Sequence, residues 1–311
     1  MRDDLATLEG SLLSEVLEHA IFNGGKRVRP LLTVLAARLA GGPAIKDREA
    51  EIYRLAMVFE YLHAASLLHD DVIDRAEQRR GQDTANRIWG NTPVILAGDY
   101  LHARAMLLAG EIGGVECLEL VGRATANMVE AEFLQMKNAE ERDGSAERYF
   151  AVLQGKTAAL IIAACEVGVI IAGGDAIQQA ALRLYGTNLG LAFQVVDDLL
   201  DYLGDPGKTG KVVGNDFVEG KITLPLIHAL EKVDSKDRIR CLALLEKTPE
   251  ERAAGIPWIQ SMIKGSGGFE SARKQAEEMI AQATAALHIF ADSPEKNILV
   301  GLAGYVLTRE K

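Results

Sequence analysis

Apolar residues recur at the three- and four-residue spacing of an α-helix along almost the whole 311-residue chain. Runs that alternate between apolar and polar residues, as a half-buried strand requires, are hard to find. No linker rich in proline, glycine or serine separates two halves, and no long internal repeat is evident. The pattern therefore predicts an all-α protein that forms one domain over residues 1–311.

The individual helices are predicted from this periodicity and from the glycine pairs and capping residues that interrupt it. They cover residues 3–22, 29–40, 47–74, 93–108, 115–137, 145–172, 175–202 and 223–230, with several more before residue 308. Two long stretches without a helical pattern, 75–92 and 203–221, each begin just after an aspartate-rich helix end. Loops of this length are more often functional than idle, so both are expected to belong to a site.

Composition narrows the class of function. The chain has 34 basic and 44 acidic residues, and its net charge of -10 argues against electrostatic binding of nucleic acid or of an anionic membrane. The three cysteines are far apart and lack metal-ligand spacing, which favours free thiols in a reducing, cytoplasmic compartment. The longest apolar stretch, 158–172, is interrupted by Glu166 and is too short to cross a bilayer, so no transmembrane segment is expected.

Aspartates with the spacing i, i+1 and i+4 close two different apolar helices. The first aspartate set is Asp70, Asp71 and Asp74, and the second aspartate set is Asp197, Asp198 and Asp201. Because a helix turns by about 100° per residue, the first and third members of each set share one face and can share one cation. The helix dipole and mutual repulsion both disfavour carboxylates at a helix C-terminus, so two such sets are a poor match to ordinary surface.

The ligand chemistry of these sets indicates magnesium. Oxygen-only ligands, without cysteine and with little histidine nearby, select Mg²⁺ or Ca²⁺ rather than zinc or copper. Mg²⁺ usually binds through carboxylates together with the phosphate oxygens of a substrate. Two acidic faces therefore predict a polyphosphate that is bridged by several Mg²⁺ ions.

Basic residues cluster where loops would close on such an anion. They are Lys26, Arg27 and Arg29 after Gly24-Gly25, then Arg79 and Arg80, then Lys156 beside Thr157, and finally Lys208, Lys211 and Lys221. Arginine forks suit phosphate oxygens and glycine admits close approach of the backbone, which favours phosphate binding by the first two clusters. For Lys208 an ordinary solvated side chain is an equally good interpretation. His63 lies seven residues before Asp70, so it is either directed toward the same site or a buried histidine satisfied by a neighbour.

Taken together, eight segments resemble the trans-isoprenyl diphosphate synthases, the polyprenyl synthetase family, from about Gly24 to at least Glu231. They are Gly-Gly-Lys-Arg-Val-Arg-Pro at 24–30, Leu-Leu-His-Asp-Asp-Val-Ile-Asp at 67–74, Arg-Arg-Gly at 79–81, Leu-Ala-Gly-Asp-Tyr-Leu at 96–101, Gly-Lys-Thr at 155–157, Phe-Gln-Val-Val-Asp-Asp-Leu-Leu-Asp at 193–201, Gly-Lys at 210–211 and Gly-Lys-Ile-Thr-Leu-Pro at 220–225. The resemblance implies a single helical bundle around a central cavity. It also implies a Mg²⁺-dependent condensation of isopentenyl diphosphate with an allylic diphosphate, by a homodimer.

The resemblance also implies a role for each matching residue. Asp70, Asp74 and Asp197 would hold Mg²⁺ on the allylic diphosphate, supported by Asp71, Asp198 and Asp201, and the same diphosphate would be bound by Arg79, Lys156, Lys211 and Lys221. Isopentenyl diphosphate would be bound by Lys26, Arg29, His63 and Arg80, while Thr157 and Gln194 would face the reacting allyl group. Two departures, Ala131-Glu132 for the common Gly-Glu and Val212-Val213 where proline is common, put only loop geometry in question.

Three other functions would each use part of this pattern. A terpene cyclase shares the fold and the first aspartate set, but that class usually replaces the second with a metal site of a different type. A di-metal carboxylate bundle would use Glu60-x-x-His63, but it requires a second Glu-x-x-His that the chain lacks. A catalytically silent partner subunit could lose its aspartates and arginines, and this chain retains them.

Product length is expected to depend on the helix that precedes the first aspartate set. One helical turn rises about 5.4 Å, close to the extended length of one isoprene unit. Ala65 and Ser66 are small where short-chain family members tend to place an aromatic floor, and Leu62 and Phe59 follow below them, with Phe59 as a possible deeper floor. These residues predict a long product of about C30 to C45, with octaprenyl as the leading length and geranylgeranyl or farnesyl as the alternatives.

Overall fold

The computed structural model describes residues 1–79, 81–142, 144–204 and 213–309, and these residues are overwhelmingly helical. The all-α prediction is therefore confirmed. Two predicted substrate-binding residues, Arg80 and Lys211, lie outside the described residues, as does Lys208.

The helices are α1 (Arg2–Leu5), α2 (Leu12–Phe22), α3 (Val28–Gly41), α4 (Glu49–Ile73), α5 (Ala85–Trp89), α6 (Asn91–Glu141), α7 (Ala146–Leu153), α8 (Ala159–Ile171), α9 (Ala176–Leu203), α10 (Asn215–Val218), α11 (Leu224–Leu230), α12 (Ser235–Leu245), α13 (Pro249–Gly265), α14 (Gly268–Ala286) and α15 (Pro294–Thr308). Segments of 3₁₀-helix occupy Ala6–Leu8, Gly42–Arg48 and Leu287–Ile289, and a π-helical turn occupies Gln154–Ala158. Two short strands, β1 (Gln78–Arg79) and β2 (Gln82–Asp83), pair antiparallel.

Local residue chemistry explains where several helices begin and break. Ser11 caps α2 by accepting the backbone N–H of Ser14 at 3.1 Å. The continuous helix predicted over 3–22 was wrong, because Gly10 has a φ of +81° and interrupts the chain before that cap. The break predicted between residues 108 and 115 is a kink at Gly114, where φ is +68° and ψ is -165°, inside the long helix α6.

The described chain forms two compact units. The first unit contains Met1–Thr125 and Ala163–Leu182, and the second contains Ala126–Ile162 and Arg183–Lys311. In the first unit α3 packs along α4, and Leu32, Leu55 and Phe59 are fully buried. In the second unit α11 packs against α14, and Tyr185, Tyr202 and Phe217 are fully buried. One domain over residues 1–311 stays a prediction.

Two segments, Val28–Ile73 and Ala146–Ile171, are long and apolar enough to cross a membrane by length and composition alone. The most apolar windows within them are 39% and 67% buried inside the protein, and the core helices of globular proteins satisfy the same test. The expected absence of a transmembrane segment therefore stays a prediction. The three cysteines, Cys117, Cys165 and Cys241, are buried and free, as their spacing predicted.

Candidate active site

The first aspartate set lies at the C-terminal end of α4, in the first unit, and its middle member is fixed by an arginine. Asp71 is buried, and its Oδ1 accepts from Arg79 Nε and from Arg79 Nη2, both at 2.8 Å. Arg79 is 40% exposed and belongs to β1. The hairpin that follows α4 therefore places its arginine on Asp71 rather than leaving it in solvent.

The outer members of the first aspartate set have a different environment. Asp70 is half-buried and Asp74 is exposed. The backbone N–H of Asp74 donates to the Asp70 carbonyl at 2.8 Å, which continues the helical hydrogen bonding up to the last aspartate. The next residue, Arg75, has a φ of +51°, so a residue with a Cβ occupies the left-handed position that usually ends a helix with glycine.

Asn86 and Gly98 fix the packing of α5 and α6 against the end of α4 that carries the first aspartate set. The Asn86 amide donates to the backbone carbonyls of Asp71 and Ala76, each at 3.2 Å, and thereby ties α5 to the end of α4. Gly98 lies against the His69 imidazole, because a Cβ at this position would lie 2.3 Å from His69 Nε2. The glycine in Leu-Ala-Gly-Asp-Tyr-Leu thus permits the close packing of α6 on α4.

The two arginines of the Gly-Gly-Lys-Arg-Val-Arg-Pro segment have different environments: Arg27 forms an ion pair, whereas Arg29 keeps a donor atom unused among the described residues. Arg27 pairs with the buried carboxylate of Glu60 and donates to the Ile21 carbonyl. Arg29 has an Nε atom that is buried and has no acceptor among the described residues. Burial lowers the pKa of Arg29 to about 10, although the Glu60 carboxylate opposes this shift.

The remaining predicted residues of the first unit lie on α4 or before α3. His63 is half-buried, and its carbonyl accepts from Ser66 Oγ at 2.9 Å. Phe59, Leu62 and Ala65 are buried, at 0%, 3% and 3% exposure. Lys26 is exposed.

The second aspartate set lies at the C-terminal end of α9, in the second unit, and its middle member is fixed by uncharged donors. Asp198 is buried, and its Oδ2 accepts from the Tyr149 hydroxyl at 2.6 Å while its Oδ1 accepts from Gln194 Nε2 at 2.9 Å. Burial and then the Asp216 carboxylate raise the pKa of Asp198, and the two hydrogen bonds act against that rise. Burial and the Asp198 carboxylate likewise raise the pKa of Tyr149.

The outer members of the second aspartate set each have a defined partner. Asp197 is 42% exposed, and its Oδ1 accepts from Arg309 Nη2 at 2.7 Å. Asp201 accepts the backbone N–H of Asp216 at 3.1 Å through its side chain, and its carbonyl accepts the backbone N–H of Gly214 at 2.8 Å. Gly214 and the first turn of α10 are thus bound to the last turn of α9.

The π-helical turn between α7 and α8 positions Lys156 and Thr157. Lys156 Nζ lies 2.6 Å from Glu132 Oε1, and Thr157 Oγ1 donates to Gln194 Oε1 at 3.0 Å. A Cβ on Gly155 would lie 2.7 Å from the Asn127 carbonyl oxygen, so glycine lets this turn approach α6. π-turns of this kind widen a helix and are frequent at functional sites.

Five predicted site residues line one cavity of about 140 Å³ within the second unit. They are Lys156, Thr157, Gln194, Asp198 and Lys221, and Tyr149 and Asp216 line it as well. Lys221 Nζ lies 2.6 Å from Glu219 Oε2 and 3.6 Å from Asp216 Oδ1. The ammonium groups of Lys156 and Lys221 therefore border the same cavity as the carboxylates of Asp198 and Asp216. Hydrogen bonds and an ion pair already compensate part of the negative charge of these two carboxylates.

The donor chemistry of both aspartate sets fits a divalent cation that a substrate completes. Among the described residues, no three side chains of the metal-binding types converge on one point. Mg²⁺ commonly takes only one or two carboxylates from the protein and the remaining oxygens from phosphates and water. Asp70 with Asp74, and separately Asp197, fit that pattern, and a cationic guanidinium already lies against the Asp197 carboxylate.

Three residues of this region were missed from the sequence. Asp216 lies inside the stretch 203–221 that was expected to be functional, so its proximity to Lys221 was a usable signal. Tyr149 reaches Asp198 from 49 residues away, and Arg309 reaches Asp197 from 112 residues away. No local pattern in the sequence indicates either contact.

Comparison with known proteins gives concordant matches. The family model for polyprenyl synthetase matches residues 10–260. The octaprenyl diphosphate synthase of Escherichia coli (strain K12) is 36% identical over 303 residues, which are 96% of this chain and 91% of that protein. A short chain isoprenyl diphosphate synthase of Methanothermobacter thermautotrophicus is 35% identical over 100% of this chain and 94% of its own length.

A solved structure gives the same result. It is the polyprenyl synthase from Caulobacter crescentus CB15 complexed with calcium and isoprenyl diphosphate. That structure superposes with a TM-score of 0.86 at 37% sequence identity, over 99% of this chain and 95% of the other.

Proposed function

Because this chain belongs to the polyprenyl synthetase family, we propose that it condenses isopentenyl diphosphate with an allylic diphosphate to make a long all-trans polyprenyl diphosphate. It is an enzyme, a prenyltransferase of the polyprenyl diphosphate synthase type. Enzymes of this family generally use divalent metal ions. The finer proposal is that several Mg²⁺ ions serve that role here.

One observation carries this proposal. Each aspartate set has a middle carboxylate that is buried and fixed by donors, by Arg79 in one set and by Tyr149 with Gln194 in the other. Fixing the middle residue orients the helix end and leaves an outer aspartate of each set less buried, as a metal ligand needs. We assign Asp70 and Asp74 in the first unit, and Asp197 in the second, as the metal ligands.

In the first unit, isopentenyl diphosphate binding is assigned to Lys26, Arg29, His63 and Arg80. Arg29 supports this assignment because its enclosed Nε has no acceptor among the described residues. An arginine fork with an unused donor is suited to a diphosphate oxygen, whereas Arg27 is already committed to Glu60. That commitment also removes the carboxylate that a di-metal bundle would need.

In the second unit, the allylic diphosphate is assigned to Lys156, Lys211 and Lys221, and Arg79 has the same role in the first unit. Two hydrogen bonds connect the side chains of this region: Thr157 donates to Gln194 at 3.0 Å, and Gln194 donates to Asp198 at 2.9 Å. Because Asp198 accepts from the Gln194 amide nitrogen, the Gln194 oxygen is directed toward Thr157. The pair would thus present polar atoms of fixed orientation beside the reacting allyl group.

The chemistry needs charge neutralisation more than a nucleophile. The bound metal supplies a counter-charge to the diphosphate that leaves when the allylic C–O bond breaks. Lys156 and Lys221 add two positive charges, and Glu132 and Glu219 hold their ammonium groups in place. The isopentenyl double bond then attacks the allylic cation, and loss of one proton, to the departing diphosphate, restores an alkene.

A product of about C30 to C45 is proposed because the residues one turn before the first aspartate set on α4 are small. Each helical turn of about 5.4 Å without a bulky side chain admits roughly one more isoprene unit. Ala65 and Ser66 leave that level of α4 without an aromatic side chain. The Escherichia coli octaprenyl synthase supports a long product. The Methanothermobacter short-chain synthase, at 35% identity, makes C15 or C20 the competing result.

Homodimerisation and a cytoplasmic location complete the proposal. Val129, Phe133 and Met136 are exposed by 54%, 68% and 59% along one stripe of α6. An apolar stripe of this kind is typical of a surface that a partner covers. The three buried free thiols are consistent with a reducing compartment.

Product sizing tests the proposal most directly. The purified protein, Mg²⁺ and isopentenyl diphosphate are incubated with geranyl, farnesyl or geranylgeranyl diphosphate, and the products are separated by chain length. We expect elongation of at least one primer to about C30 or beyond. Absence of any elongation, or elongation unaffected by excess chelator, would contradict the prenyl transfer or the metal assignment respectively.

Chain length has its own test. Ala65→Phe and Ser66→Phe should each shorten the product to about C15 or C20, because an aromatic ring then blocks the path one turn before the aspartates. Ser66→Ala is the matched control, since it removes the hydroxyl without adding bulk. An unchanged long product in both phenylalanine variants would show that this stripe does not limit the chain.

A further inference from the structure

Arg309 comes directly after α15 and is held against one turn of α9 by two contacts. Its Nη2 lies 2.7 Å from Asp197 Oδ1, and its guanidinium carbon lies 4.2 Å from the centroid of the Phe193 ring. Phe193 precedes Asp197 by four residues, so the ring and the carboxylate lie on the same face of the helix. An ion pair and a cation–π contact therefore hold the same guanidinium.

The burial of this pair is unequal. The Arg309 side chain is 7% exposed, whereas the Asp197 side chain is 42% exposed. A guanidinium that is withdrawn from water needs a counter-charge more than a surface arginine does, so Asp197 is a strongly held partner.

We propose that Arg309 is a built-in counter-cation of Asp197, and that it leaves this carboxylate when a divalent metal binds there. The inference rests on the proposed function, which makes Asp197 a metal ligand. A Mg²⁺ ligand oxygen lies about 2.1 Å from the ion, and a guanidinium on the same oxygen would place two cations within a few ångströms of each other. Arg309 and the metal therefore compete for Asp197.

The concentration of carboxylates around Asp197 explains why a counter-cation is useful at this position. Asp198 follows Asp197 directly on α9, and Asp198 and Asp216 line the same cavity, so three carboxylates lie in this region. Arg309 offsets part of this acidic cluster before any metal arrives. Competition of this type lowers the apparent metal affinity, because the intrinsic association constant is multiplied by the fraction of protein in which Asp197 is released.

Manganese titration of the full chain tests the proposal without any turnover. Binding of Mn²⁺ is followed by the electron paramagnetic resonance signal of the free ion, with and without inorganic diphosphate. Arg309→Gln should tighten one class of Mn²⁺ site by about threefold to tenfold. Arg273→Gln is the matched control, because Arg273 lines the same cavity as Arg309 but is not the partner of Asp197, and it should leave the affinity unchanged.

The variant Asp197→Asn distinguishes the metal-binding role of Asp197 from the counter-cation role of Arg309. It should abolish the affected Mn²⁺ site, and in that background Arg309→Gln should have no further effect. If Asp197→Asn leaves Mn²⁺ binding unchanged, the metal role of Asp197 in the proposed function is wrong. If Asp197→Asn abolishes a site while Arg309→Gln leaves the affinity unchanged or weakens it, only the counter-cation role is overturned. Should the glutamine variant fail to fold, Arg309→Lys, which keeps the charge but loses the planar guanidinium and much of its stacking on Phe193, is expected to shift the affinity in the same direction.

Discussion

The ends of α4 and α9 carry the same arrangement of three aspartates, but the protein neutralises them in opposite ways. At the end of α4 the cation lies on the buried middle residue, as Arg79 on Asp71. At the end of α9 the middle residue Asp198 has only uncharged donors among the described residues, and the cation Arg309 lies on the outer Asp197. Identical spacing in the sequence therefore does not determine which carboxylate keeps its charge compensated.

This difference has a consequence for ionisation. A buried carboxylate bound by a guanidinium is stabilised in its charged form, whereas one bound only by a hydroxyl and an amide remains exposed to the penalty of burial. The raised pKa of Asp198 is the result of that penalty and of the Asp216 carboxylate. The second aspartate set is thus the one that gains more when a cation arrives.

The largest expected effect tests whether the two aspartate sets are equivalent in catalysis. Asp70→Asn and Asp197→Asn should each lower kcat by about 10²-fold or more, because both remove charge that acts in the transition state. Asp83→Asn is the control, since Asp83 forms an exposed pair with Arg87. Steady-state rates with circular dichroism to verify folding decide the matter. A near-normal rate in either variant would remove that aspartate set from the mechanism.

A second prediction separates the substrates that the two regions serve. Arg29→Gln should raise the KM for isopentenyl diphosphate by about tenfold, and Lys221→Gln should raise the KM for the allylic substrate by about as much, because each removes one charge-assisted hydrogen bond. Lys232→Gln, at an exposed lysine bonded to Ser271, should alter neither KM. If each variant instead affects the other substrate, the two assignments are exchanged.

A third prediction concerns the stability of the metal-free protein. Asp71→Asn should lower the free energy of unfolding by about 1 to 2 kcal/mol, since it leaves Arg79 without its counter-charge and Arg79 is only partly buried. Asp198→Asn should cause no loss or a small gain, because it removes a charge that burial disfavours and the Tyr149 hydroxyl can turn to accept from the new amide. Urea unfolding of both variants provides the comparison. Equal losses would show that the neutral donors compensate Asp198 as well as an arginine does.

The smallest effect is the pH dependence of that stability. Because the folded-state pKa of Asp198 is raised, its contribution is fully present below the unfolded pKa of about 3.9 and is lost as pH rises toward the folded value. Wild type should therefore lose stability relative to Asp198→Asn as the pH rises above about 4. A constant difference across this range would contradict the raised pKa.

Asp4 in the first unit is expected to change the stability with pH in the opposite direction to Asp198. Burial acts to raise its pKa, but hydrogen bonds from Arg104 and Tyr61 outweigh burial, and the pKa lies below the ordinary value. Its contribution is therefore present above the unfolded pKa and is lost as pH falls through the folded value. Relative to wild type, Asp4→Asn should be less stable at pH 7 and nearly equal at acid pH, as measured by thermal unfolding.

Much of the fold could be predicted because helix formation follows local rules. The ends of α3, α4 and α9 fall within about two residues of the predicted bounds, since apolar periodicity and capping are properties of neighbouring residues. The interruption at Gly10 was missed, because helical periodicity on both sides concealed one left-handed residue. The Glu60-x-x-His63 pattern was correctly set aside, but its actual use, as the partner of Arg27, depends on packing between α3 and α4.

By itself, the sequence determined that two helices end in carboxylates with one repeated spacing, because residues four apart always share a helix face. Only the tertiary structure decided how each carboxylate is compensated. The partner of Asp71 comes from a hairpin eight residues away, whereas those of Asp198 and Asp197 come from 49 and 112 residues away. Charge compensation depends on which distant side chains packing brings within hydrogen-bond reach, and local spacing contains no information about those distances.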